Sequence, residues 1–153
     1  MAKYSKSSSG KLKTAHPDLR VLFSHVIERF DNTILYAHRT PAEQFELFKK
    51  GRKLVKGIWK IFDKRKVVTY KDGINKKSKH NFFESHAVDA TPYPINWKDT
   101  KRMYYFAGYV MAKAEQLYED GLMTHKIRWG GDWDGDTEVD DQTFMDLCHF
   151  EII

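Results

Sequence analysis

Between Ser78 and Asp89 the chain reads Ser-Lys-His-Asn-Phe-Phe-Glu-Ser-His-Ala-Val-Asp, which sets two imidazoles and two carboxylates just ahead of an apolar, strand-like run. Near the C-terminus, Asp146-Leu147-Cys148-His149-Phe150-Glu151 offers another imidazole flanked by carboxylates. Imidazole nitrogens and carboxylate oxygens are the donors of a catalytic zinc, which takes three protein ligands and keeps a position for water whose pKa it lowers to roughly 7. His80, Asp89 and His149 make such a set. His86 competes with His80, because it lies close before Asp89. Neighbouring strand residues point to opposite faces, so Cys148 and His149 do not share an ion, and Cys148 reads as a packed thiol. Water attacking a peptide carbonyl needs a general base that passes its proton to the leaving amine. Asp146, three residues before His149, reaches the same site if the chain bends between them. Glu151 shares a strand face with His149 and suits a supporting role. Two segments so far apart form one site only if the fold closes it.

The elements that must do so follow from periodicity and punctuation. Leu19, Leu22, Phe23, Val26, Ile27 and Phe30 recur at helical spacing behind Pro17 and Asp18, which predicts a helix over 17–30. Thr33 to Ala37 is a short strand. Thr40, Pro41 and Glu43 form an N-cap, a first helical position and a capping box, and the helix they start runs through Phe48 to a stop at Gly51. Arg39 therefore stands where a strand end meets a helix start, a common position for a substrate-facing side chain, with Gln44 one turn into that helix. From Arg52 to Lys77 the chain is a lysine-rich excursion, with Val55 to Phe62 either a short helix or extended and Val67 to Tyr70 a strand. His86 to Ala90 is a buried strand that Thr91 to Pro94 breaks. The longest helix covers about Trp97 to Glu119, opened by Asn96 or Asp99 and stopped at Gly121. A strand from Lys126 ends in the tight bend of Trp129-Gly130-Gly131-Asp132-Trp133, and a last strand spans His149 to Ile152. Helices followed by short, irregularly spaced strands indicate an α+β domain, with a small antiparallel sheet carrying the zinc site and packed against several helices. The expectation is one domain over 1–153, with 1–9 a flexible tail.

Hydrophobic residues at 41% and aromatics at 14% exclude a disordered chain, and no stretch is long and apolar enough for a membrane span. The net charge of +5 favours a polyanionic partner, whether nucleic acid, an anionic membrane surface or a bacterial wall. Basic residues interleave with Trp59 and Tyr70, but no nucleic-acid motif accompanies them. One cysteine allows no intrachain disulfide, and the basic N-terminus lacks the apolar core of a secretory signal. Asp132, Asp134 and Asp136 alternate like the start of a calcium loop, without the glycine that an EF-hand requires after the third aspartate.

Ser78-x-His80, Ala87-x-Asp89 and Asp146-x-x-His149, preceded by Arg39-Thr40 with Gln44 and joined by Trp129-Gly130-Gly131-Asp132-Trp133, resemble the zinc peptidases that include D-alanyl-D-alanine carboxypeptidases and the vancomycin-resistance dipeptidases. Within that family the chain looks most like the phage endolysins that cleave the L-alanyl-D-glutamate bond of peptidoglycan, over about Leu12 to Ile153. The resemblance implies zinc on His80, Asp89 and His149, Asp146 as general base, and Arg39 polarising the scissile carbonyl. It implies supporting or substrate-binding roles for Ser78, Gln44 and Trp129, and leaves a second cation, Ca2+, on Asp132, Asp134 and Asp136 as an added expectation. The step from His80 to Asp89 is longer than in most relatives and lacks their glycine. The implied partner is bacterial peptidoglycan, with no nucleic acid and no membrane insertion, for a monomer held in the host cytoplasm until a separate permeabilising protein releases it. A D-alanyl-D-alanine carboxypeptidase or dipeptidase, and a non-catalytic basic module for cell wall or nucleic acid, are the alternatives.

Overall fold

Val88 and Phe150 sit opposite each other in the two middle strands of an antiparallel sheet, and both are fully buried. The computed structural model describes all residues, Met1–Ile153. Its helices are α1 (Lys6–Leu12), α2 (Pro17–Arg29), α3 (Pro41–Phe48) and α4 (Thr100–Glu119); its strands are β1 (Asn32–Tyr36), β2 (Arg52–Val55), β3 (Ile58–Ile61), β4 (Ala87–Pro92), β5 (Ile127–Gly130) and β6 (Asp146–Ile152). Strands β1, β4, β6 and β5 lie in that order in one antiparallel sheet, and β2 and β3 form a separate hairpin. This is the α+β architecture that the sequence predicts.

Helices α2 and α4 cover one face of the sheet. Leu19, Leu22, Phe23 and Val26 from α2 meet Phe106, Val110 and Leu117 from α4 over Ile34, Val88, Ala90, Phe150 and Ile152. Because strand side chains alternate, the residues between these core positions face the other way. On β4 that residue is Asp89, and on β6 they are His149 and Glu151. The register pairs Asp89 directly with His149 and Ala87 with Glu151. A slip of one residue would send His149 into the core, so the apolar alternation that fixes the register also fixes the site.

The α3 start is as predicted: Thr40 Oγ1 accepts from Glu43 N at 3.2 Å, and Glu43 Oε2 accepts from Thr40 N at 2.9 Å. Asp99 caps α4, accepting from Arg102 N at 3.1 Å. Three segments differ from expectation. Residues 1–9 are not a tail throughout, since α1 begins at Lys6 under a Ser5 cap. The run Lys-Ser-Ser-Ser-Gly has weak helix propensity, and tertiary contacts hold it: Tyr4 Oη lies 2.9 Å from Asn32 Oδ1, and Ser8 Oγ accepts from Ile34 N at 3.2 Å. Residues 52–61 settle as a hairpin, turned at Lys56 and Gly57 with φ of 50° and 78°, the paired left-handed conformation of a two-residue hairpin loop. Val67 to Tyr70 is not a strand. Its backbone instead serves Arg52, whose guanidinium donates to Thr69 O at 3.0 Å and to Phe48 O at 2.6 Å.

Candidate active site

His80 is set by a short helical turn, Lys79–Asn81, that Ser78 caps by accepting from His80 N at 3.3 Å. Asn81 ties the turn down, with Oδ1 accepting from Ser78 N at 2.8 Å and Nδ2 donating to Arg39 O at 2.8 Å. Arg39 N in turn donates to His80 O at 2.8 Å, so the segment carrying His80 is bonded to the junction of β1 and α3. Asp89 and His149 come from the central strands. One donor atom from each of His80, Asp89 and His149 lies within 4.8 Å of the others, and all three residues are buried.

Hydrogen bonds on the outer side of each ring decide what faces inward. His80 Nδ1 donates to Ala37 O, a carbonyl that only accepts, at 2.7 Å, and this turns Nε2 toward Asp89 Oδ1 at 3.2 Å. His149 Nε2 donates to Glu151 Oε2 at 2.8 Å, which leaves Nδ1 facing Asp89 Oδ1 at 3.1 Å. Glu151 is itself held by Arg128, whose Nε donates to Oε1 at 3.1 Å. The inward nitrogens of two imidazoles thus converge on one carboxylate oxygen, and a proton or a metal cation has to lie between each nitrogen and that oxygen. A proton can fill that place: burial disfavours charge on His149, but its bonds to Asp89 and Glu151 and the charges of Asp89 and Asp146 outweigh burial and push its pKa up to about 10. A metal ion that displaces this proton finds a donor set and supporting bonds of the kind metal-ligating histidines use. The residues fit a metal.

Asp146, the first residue of β6, lines the same cavity as the triad. Burial and the neighbouring charge of Asp89 raise its pKa above the ordinary carboxyl value. Cys148 Sγ donates to Asp146 Oδ1 at 3.4 Å, and burial pushes the thiol's own pKa up, so it stays protonated beside the carboxyl. Arg39 is buried, with Nη2 3.5 Å from Asp89 Oδ2, Nη1 donating to Gln44 Oε1 at 2.9 Å, and its guanidinium 4.6 Å from the centre of the Tyr36 ring. Its Nε has no partner. Gln44 is fully buried and also donates to Lys71 O at 2.9 Å, so it fixes Arg39 to the chain beyond the hairpin.

The cavity has a volume of about 760 Å3. Lys50, Lys71, Lys77 and Lys79 line it, and none of the four has an ion-pair partner. Trp133 and Phe144 form part of another wall.

Several expected residues stand elsewhere. His86 stacks flat on Phe82, ring centroids 4.4 Å apart, away from the three converging donors. Trp129 does not line the cavity: it is buried in the core, and Nε1 donates to Leu147 O at 2.8 Å. The cavity tryptophan is Trp133, which the sequence reading included only as part of the motif. The glycines between them have separate reasons. A Cβ at Gly131 would lie 2.2 Å from the Trp129 ring, and one at Gly130 would lie 2.3 Å from Asp146 O. Asp132, Asp134 and Asp136 do converge. Asp132 spends its oxygens on the loop itself, with Oδ1 accepting from Gly135 N at 2.8 Å and Oδ2 from Thr137 N at 3.1 Å.

A metal-capable His-Asp-His centre on the open face of a small antiparallel sheet, with a carboxyl and an arginine in one cavity, defines a compact hydrolase-type domain. The chain belongs to the phage L-alanyl-D-glutamate peptidase family, whose model matches residues 1–153. The fold is similar to that of the L-Ala D-Glu endopeptidase ChiX of Serratia marcescens, with a TM-score of 0.62 at 18% identity over 98% of this chain and 89% of that one. No curated protein matches the chain.

Proposed function

We propose that this protein is a zinc-dependent endopeptidase that hydrolyses the L-alanyl-D-glutamate bond in the stem peptides of bacterial peptidoglycan, and so serves host lysis by a phage. The observation that carries the reading is the convergence of His80 Nε2, His149 Nδ1 and Asp89 Oδ1, each oriented by a bond on its far side, in the cavity that Asp146 also lines. Two imidazoles and one carboxylate suit zinc, and three protein ligands match the coordination that catalytic zinc sites keep. Zinc held there supplies a Lewis acid and a water of lowered pKa.

The chain's own groups do the rest in this reading. Asp146 takes a proton from the attacking water on a carboxylate oxygen and hands it to the nitrogen of the leaving D-glutamyl residue, and its raised pKa favours holding that proton between the two steps. Arg39, which lines the cavity, directs guanidinium N–H groups at the oxygen of the scissile carbonyl, where negative charge develops. Gln44 and Tyr36 hold that guanidinium in place, and Ser78 holds the turn bearing His80. Lys50, Lys71, Lys77 and Lys79 complement a glutamate-bearing peptide, which presents a free carboxylate beside the bond to be cut. The reading includes a monomer, made in the host cytoplasm and released to the wall by a separate permeabilising protein.

Digestion of purified peptidoglycan followed by mass spectrometry of new amino termini tests this. New D-glutamyl termini are expected. Release of free D-alanine without them would assign the site to a carboxypeptidase instead.

A further inference from the structure

The β2–β3 hairpin has a fixed base and an uncovered tip. At the base, the buried Arg52 guanidinium lies 4.0 Å from the centre of the Phe48 ring, and further along Trp59, opposite Leu54, packs edge-on against Phe45 with ring centroids 5.9 Å apart. At the tip, Leu54, Val55 and Ile58 are 58%, 42% and 61% exposed, with nothing packed over them. Lys53, Lys56 and Lys60 surround them, exposed and without ion pairs. Among residues 52–66 the only carboxylate is Asp63, and Arg65 engages it at 3.1 Å.

Two features of this hairpin are unfavourable in water. Three aliphatic side chains stand in solvent beside its turn, the pair Val55 and Ile58 on one face of the ribbon and Leu54 on the other, and the register sets Lys53 directly opposite Lys60, a like-charge pair that weakens a two-stranded ribbon. Both become favourable at a surface that is anionic above and apolar below. Nucleic acid and wall polymers offer the charge without the apolar layer; the headgroup region of an anionic bilayer offers both. We propose that the β2–β3 hairpin docks this protein peripherally on anionic phospholipid bilayers. Leu54, Val55 and Ile58 enter the boundary between headgroups and acyl chains, and Lys53, Lys56 and Lys60 pair with lipid phosphates. No helix is long and apolar enough to cross a membrane, so this is attachment rather than spanning. Leu54, Val55, Ile58 and the three lysines do not line the cavity, which makes the docking independent of the peptidase reading.

Co-sedimentation of the full chain with vesicles tests the proposal. Vesicles of phosphatidylglycerol and phosphatidylethanolamine should bind it, and neutral phosphatidylcholine vesicles should not. The double variant Lys53→Gln/Lys60→Gln should bind roughly thirtyfold more weakly, taking about 1 kcal/mol per basic residue near the surface. Leu54→Ser/Ile58→Ser should lose roughly tenfold or more while keeping the wild-type melting temperature, because the changed side chains are exposed. Equal binding to neutral and anionic vesicles, no binding to either, or hairpin variants that bind like the wild type would each overturn it. So would variants that lose binding only to purified peptidoglycan.

Discussion

Glu151 Oε2 lies 2.8 Å from His149 Nε2, two residues back on the same strand, while Arg128 Nε holds the other oxygen of Glu151 at 3.1 Å. The pair fixes the ring so that Nδ1 faces Asp89. Glu151→Ala is expected to weaken metal binding roughly 10- to 100-fold, as loss of such a supporting partner typically does. Glu151→Gln, which keeps an acceptor, should lose less. Competition with a chromophoric chelator measures both, and unchanged affinity in Glu151→Ala would refute the role.

Arg39 depends on Gln44 in the same way. Gln44→Ala removes the acceptor of Arg39 Nη1 and the donor to Lys71 O, which should lower stability by roughly 1–3 kcal/mol. Because the guanidinium then loses its aim, kcat should fall tenfold or more with a smaller change in KM. Gln44→Glu keeps the acceptor and should retain more activity than Gln44→Ala.

The two glycines of the Trp129–Trp133 bend separate packing from catalysis. Gly131→Ala drives a methyl into the Trp129 ring and is expected to cost about 1–3 kcal/mol in urea denaturation. Gly130→Ala pushes on the backbone oxygen of Asp146 instead. Its loss of turnover should exceed what its loss of stability explains, if Asp146 is the general base.

Asp18 gives the fold a pH dependence of known sign. Burial raises its carboxyl pKa, but bonds from the His125 ring, the Thr124 and His125 backbone and the Thr124 hydroxyl outweigh burial and leave it below the usual 3.8. A depressed folded-state pKa gives stability that is complete above the unfolded value and is lost as pH falls through the folded one. The wild type should exceed Asp18→Asn by roughly 1.5–3 kcal/mol at neutral pH. That gap should close below about pH 4. A gap that does not narrow as pH falls below about 4 would contradict the assignment.

Chelation should abolish peptidoglycan cleavage, and added zinc should restore it. By elemental mass spectrometry His80→Ala should carry little metal, whereas His86→Ala should carry the wild-type amount, since His86 stacks on Phe82 rather than facing Asp89.

Local chemistry made much of this readable in advance. The capping box of Thr40 and Glu43 and the apolar spacing of α2 depend on residues within one or two turns and appear as read, and of the two caps open for α4, Asn96 and Asp99, the structure uses Asp99. The donor set was readable because imidazoles and carboxylates at those spacings have few other uses together. Helix α1 was hidden because its residues do not favour a helix; Tyr4 and Ser8 hold it through Asn32 and Ile34, far along the chain. The bond between Cys148 and Asp146 was hidden too, since it depends on how β6 bends at its start.

The sequence by itself determined the family-type motifs, the donor types and the alternation that sends Val88 and Phe150 to one side and Asp89 and His149 to the other. The motif resemblance already favoured His80 over His86, and the structure brings His80 to Asp89 and His149; only the tertiary structure chose Trp133 over Trp129 for the cavity wall and the nitrogen that each ring presents. Those choices rest on partners distant in sequence: Ala37 O for His80, Leu147 O for Trp129, and, for His149, the Arg128 that clamps its neighbour Glu151. Residue type and spacing specify which atoms are able to bond, but the distances that decide between them exist only once the strands are in register.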